Sequence, residues 1–184
     1  MPEFNHLSIF ISIIIALGVS HLVSSGARLI HLRGRVRIHY PTVIWMVTLL
    51  LLQVQIWWVA FYRRDVKEWT FFGFLLYLLI PIVVSMLGYL LVPQLDANTD
   101  LENEYYHNRK WHFGLLAGVV AVSLLEDAVR SGMARLDLNF SMRVAFLVLC
   151  GVGVTTRAKR AQLPVALAFL GLFVFYMVLV FAKL

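Results

Sequence analysis

Six strongly polar residues interrupt runs that otherwise suit lipid. They are His21 in LGVSHLVSS, Gln53 and Gln55 in LLLLQVQIWW, and Glu126, Asp127 and Arg143 within LLEDAVRSGMARLDLNFSMRV. A polar group at that depth costs free energy unless a partner satisfies it, so each is a candidate for handling an ion, a proton or a solute. His21 falls about 4 Å from the centre of its run and shares a face with Ser25 and Arg28. It could relay a proton, contact a ligand or bind haem iron, or sit neutral against a neighbouring helix. A bis-histidine haem needs a second histidine at similar depth. His112, near the start of its run, is the only one on another span. No cofactor and no metal are therefore expected.

Gln53 and Gln55 are two residues apart, which on a helix is about 200° of rotation. They cannot face one partner. Gln53 shares a face with Trp57, and Gln55 with Trp58 and Tyr62. One face can point into a bundle; the other needs another helix of the chain or a neighbouring subunit. The expectation is that Gln55 lies at a contact in a homo-oligomer. His21, Gln53 and Gln55 then form a polar path near the midplane. Glu126 and Asp127 close one apolar run and Arg143 opens the next, so a hairpin brings the three to one membrane face, with Arg130 one turn from Glu126. That cluster is either a structural clamp or a charged outer mouth.

Membrane helices must position these residues. The chain has 184 residues, 61% of them hydrophobic and 14% charged, far from the balance of a soluble domain. The pattern predicts an all-α, single transmembrane domain over 1–184 with six spans, at about 7–30, 41–62, 71–92, 111–129, 138–154 and 164–182. The first run is too long, and its flank too poor in basic residues, for a cleaved leader. Pro41 and Pro164 suit helix starts, and Pro81 should kink the third span. The polar stretch PQLDANTDLENEYYHNRKW precedes span four as a connector or a short interfacial helix.

Orientation follows from lysine and arginine. With the N-terminus outside, Arg28, Arg33, Arg35, Arg37, Arg109, Lys110, Arg157, Lys159 and Arg160 fall inside. Arg63, Arg64, Lys67, Arg130, Arg135, Arg143 and Lys183 then fall outside, nine against seven. The loops 31–40 and 155–163 contain no acid, which favours both termini outside. Trp45, Trp69, Trp111, Tyr40, Tyr62, Tyr105 and Tyr106 lie near span ends as an aromatic belt.

Small residues mark where backbones could approach. Ser8, Ser12, Ala16, Ser20 and Ser24 recur every fourth position in span one, and Gly114 and Gly118 are four apart in span four. Such stripes predict close helix packing. VSHLVSSGARL at 19–29 and VSLLEDAVRSGMARL at 122–136 share their ends and are three spans apart, which suggests a weak 3+3 inverted repeat.

Several functions are disfavoured. The chain has no HExxH, no GxSxG and no glycine-rich phosphate loop, so no enzyme and no catalytic residue is expected. The net charge of +6 clusters at span ends, which speaks for orientation rather than nucleic-acid binding. Cys150, the only cysteine, lies in an apolar run and has no partner for a disulfide.

The segments EFNHLSIFISIIIALGVSHL, QVQIWW followed by DVKEWTFF, and RKWHFGLL resemble a family of small polytopic bacterial inner-membrane proteins without known activity. The resemblance implies a bacterial cytoplasmic membrane and no particular chemistry. Together these features predict a channel or transporter-like protein for an ion or small solute. The alternative is a structural or accessory subunit bound to a membrane-protein partner.

Overall fold

The computed structural model describes residues 2–62, 70–93, 95–96, 99–131, 138–156 and 158–181. Arg63, Arg64, Lys67, Trp69, Arg135, Arg157 and Lys183, and the side chains of Tyr62 and Arg130, lie outside the described part. Six helices follow one another: α1 (Pro2–His31), α2 (Tyr40–Tyr62), α3 (Phe71–Leu91), α4 (Leu101–Ser131), α5 (Leu138–Thr155) and α6 (Lys159–Phe181). Each is long and apolar enough to cross a bilayer. The chain is an all-helical, multi-pass membrane bundle.

Local chemistry explains the helix ends. Thr70 caps α3, its hydroxyl accepting from the amide of Gly73 at 3.1 Å. Asp100 does the same for α4, accepting from the amides of Glu102 and Asn103 at 3.0 and 3.1 Å. Glu102 and Glu104 in the first turn add to that cap by favouring the positive helix end. From Leu101 the polar stretch is continuous with α4 and forms its first turns, ten residues before 111, rather than a separate interfacial helix. α6 also begins before its proline. Pro164 sits inside the helix, where its missing N–H frees only the carbonyl of exposed Arg160 near the polar end. α3 runs on through buried Pro81. Between α1 and α2 the chain turns at Gly34, whose φ of 86° favours glycine.

Packing arranges the helices as a ring and an outlier. α2, α3, α4, α5 and α6 close a circuit, each touching the next and α6 returning to α2, while α1 lies outside against α2 and α3. α2 and α4 meet only narrowly across the ring. That contact is aromatic. Trp45 of α2 packs on His112 and Phe113 of α4 at ring-centroid distances of 4.8 and 5.4 Å, and on Phe169 of α6 at 4.9 Å. The close pairing of α1 with α3 has no counterpart of similar extent between α4 and α6, so the packing gives no support to an inverted repeat.

Outward faces carry many large apolar side chains, including Ile9, Phe10, Leu17, Phe71, Phe72, Val148 and Val178, each more than half exposed. Water would penalise that surface, and hydrocarbon would not.

Candidate functional site

The ring is tight at one end and hollow at the other. The hollow is a cavity of about 400 Å³, within the range of small-molecule sites. All five ring helices contribute to its wall: Leu52 and Gln55 from α2, Tyr77 from α3, Leu116 to Asp127 along α4, Asn139, Arg143 and Phe146 from α5, and Phe169, Phe173 and Tyr176 from α6. Helix α1 contributes none of the lining residues.

Ring topology explains the rim. α4 and α5 form a hairpin, so the last turns of α4 and the first turns of α5 share one end. Arg143 pairs there with the carboxylate of Asp127, and its Nη1 also donates to the backbone carbonyl of Ser123 at 3.3 Å. Glu126 lines the same rim. Asn139, one turn before Arg143, has its Oδ1 buried with no hydrogen-bond partner among the described residues. An amide oxygen left so is costly, and it accepts readily.

The opposite end of the cavity is closed by rings. Phe146 lies 4.8 Å from Phe169, which in turn meets Trp45. Gly153 makes this floor possible. A Cβ there would lie 2.3 Å from the ring of Phe113, so only glycine lets α5 approach that ring.

The six expected polar residues divide among three places. Gln55, Glu126, Asp127 and Arg143 meet in the cavity. Gln53 does not: it is wholly buried on the opposite side of α2. Its Nε2 donates to the hydroxyl of Ser85 at 3.0 Å, and Ser85 donates to the carbonyl of Ile14 at 3.3 Å, which joins α2, α3 and α1. His21 is elsewhere again. Its Nε2 bonds to the carbonyl of Val92 at the end of α3 at 2.9 Å, and its ring stacks on Tyr89 at 3.8 Å. His21, Gln53 and Gln55 therefore form no shared path; His21 ties α1 to α3. His112 lies inside the ring against Trp45.

The expected packing residues also move. Ser20, Gly114 and Gly118 are exposed, with no side chain within 4 Å of a Cβ at either glycine, and Ser12 is half-buried. The close approach falls at Gly18 instead, where a Cβ would sit 2.3 Å from Gln53 Nε2 and 2.6 Å from Ser85 Oγ. Gln55 lines the cavity, on the other side of α2 from Gln53. Trp57 and Trp58 are 47% and 40% exposed.

Other polar residues were not singled out by sequence. Ser123 and Asn139 each lie one turn from a charged rim residue, a spacing that could have flagged them. At the tight end Tyr105 donates to Gln162 Oε1 at 2.9 Å, and Gln162 Nε2 donates to the carbonyl of Thr156 at 2.9 Å. Buried Arg109 donates to the carbonyls of Thr156 and Val154, filling acceptors that the end of α5 leaves open. Outside the spans, His39 bonds Thr42 Oγ1 at 2.9 Å and tilts against Tyr105. Burial holds its pKa below the ordinary histidine value, although Glu102 and Asp100 pull the other way.

No family model, curated protein or solved structure matches the chain.

Proposed function

We propose that this protein is transporter-like, holding a small solute in the five-helix cavity as one step of its passage. One observation carries the reading: a ring-enclosed hollow with charged and amide groups at its rim and a floor closed by aromatic side chains. A closed floor favours binding followed by rearrangement over an open pore. In this reading both termini lie outside a bacterial cytoplasmic membrane and the rim faces outward. Exposed Arg33, Arg35, Arg37 and Arg160 at the tight end support that orientation. Reporter fusions at the two termini test it, and a periplasmic phosphatase signal from both is expected.

The function is tested in liposomes containing the inserted protein. Uptake of protons, inorganic ions and small organic solutes is compared between the wild type and Val120→Trp, which fills the cavity. At least one solute should enter with the wild type and not with the variant. Absence of any protein-dependent flux would reject the reading.

A second reading, a non-catalytic accessory subunit, is favoured by a different observation. Outside the cavity, the polar bonds of Gln53, Ser85, His21 and Tyr105 all run between helices. It requires a partner that co-purifies in fixed ratio, and function that survives Val120→Trp.

A further inference from the structure

The stretch joining α1 to α2 reads HLRGRVRIHY, with a basic residue at every second position from His31 to His39 and no acid. None of them lines the cavity. A topology signal needs only the charge; here the backbone also fixes how the charge is presented. The carbonyl of Leu32 accepts from the amides of Arg35 and Val36 at 2.9 and 3.2 Å, and Gly34 turns the chain at a φ of 86°. Val36 is buried and anchors the turn on the bundle, while Arg33, Arg35 and Arg37 are exposed. Arg33 and Arg37 are close along the chain, at most about 14 Å apart between Cα atoms. Among the described residues, Arg33 and Arg35 make no ion pair and no side-chain hydrogen bond. Arg37 is close enough to act on Glu102, but that carboxylate already bonds Lys159 at 2.7 Å.

Depth decides what can meet these charges. The first span runs to His31 and the second starts at Tyr40, so the arginines follow directly on two membrane helices. A turn this short, held down by Val36, keeps them at the level of the headgroups. Ile30, Ile38 and Tyr40 beside them are 69%, 49% and 68% exposed. That mixture suits the membrane interface, where apolar and cationic side chains both find partners. A soluble acidic protein would meet the charges but not the apolar border. A guanidinium presents paired N–H donors that match phosphate oxygens. A zwitterionic headgroup brings its own ammonium to that phosphate, whereas an anionic one leaves it to the arginines.

We propose that the α1–α2 turn is a binding site for an anionic phospholipid of the surrounding bilayer. Its phosphate takes hydrogen bonds from Arg33 and Arg35, Arg37 adds charge, and its acyl chains descend past Ile30. The site lies at the tight end, apart from the cavity, and does not rest on the transport reading.

The test is native mass spectrometry of the full chain in a mild detergent, titrated with phosphatidylglycerol or with phosphatidylcholine of the same acyl chains. Phosphatidylglycerol is expected to bind roughly tenfold more tightly, by a margin that shrinks as salt rises. Arg33→Gln combined with Arg35→Gln should remove most of that margin. Lys110→Gln combined with Arg160→Gln makes the same charge change at the same end, on exposed residues, and should keep it. Circular dichroism and the melting temperature establish that both double variants are folded. Equal affinity for the two lipids would overturn the proposal. So would an equal loss in both double variants, which would reduce the site to net charge. Displacement of phosphatidylglycerol by a glutamate-rich peptide at equal concentration would also overturn it, and assign the turn to an acidic protein segment.

Discussion

At the scale of single residues, Gly18 is one of the two tightest glycines among the described residues. Its Cα lies where α1 crosses the Gln53–Ser85 bond, and a methyl group there would collide with both partners. Gly18→Ala should destabilise the protein by about 1–3 kcal/mol, the usual cost of overpacking. Gln53→Ala in the same chain should recover much of that loss, because the colliding amide is gone. A double-mutant cycle in denaturant reads the coupling directly; additive effects would separate Gly18 from Gln53. Gln53→Leu alone should cost only about 1 kcal/mol, since interhelical bonds in membranes are weak. His39 supplies the pH dependence. Its folded pKa is depressed, so the neutral ring stabilises the fold above the ordinary value of about 6.5 and that contribution is lost as pH falls. The melting temperature should drop between pH 8 and pH 5, and His39→Gln should flatten the profile.

At the scale of helices, glycines on opposite faces should behave in opposite ways. Gly153 admits the ring of Phe113 between α5 and α4, so Gly153→Ala should cost about 1–3 kcal/mol. Gly114 and Gly118 face outward with no side chain near, and Gly→Ala there should be neutral or stabilising by up to about 1 kcal/mol. Unfolding in mixed micelles distinguishes these outcomes. The helix ends were only partly legible: apolar runs alone begin the fourth span at 111 and the sixth at 164, later than Leu101 and Lys159 where α4 and α6 start. The early start of α4 was signalled by Asp100, Glu102 and Glu104. An apolarity window passes over such a signal because the first turns of α4 are polar.

At the scale of the whole molecule, the ring of α2 to α6 with α1 outside decides what each polar residue can do. Gln55 faces the cavity within its own chain, so Gln55→Leu should leave the oligomeric state in native mass spectrometry unchanged. A shift in that state would return Gln55 to a subunit contact. The sequence alone determined the class: six apolar runs of spanning length, separated by capped and basic turns, admit only a helical membrane bundle. It also picked out Gln55, Glu126, Asp127 and Arg143 as polar groups at membrane depth, because charges and amides stand out against lipid-like runs, but it grouped Gln55 with His21 and Gln53 rather than with the three charges. Tertiary structure alone decided which way each helix is turned about its axis. In water a helix shows its buried side by being apolar there. In a bilayer the outward face is as apolar as the core, so exposed Leu17 and Val148 look in sequence like buried Leu22 and Phe146. Only the helix contacts could send Gln53 toward α1 and Gln55 into the cavity, and place His21 at the end of α3 rather than on a path with either.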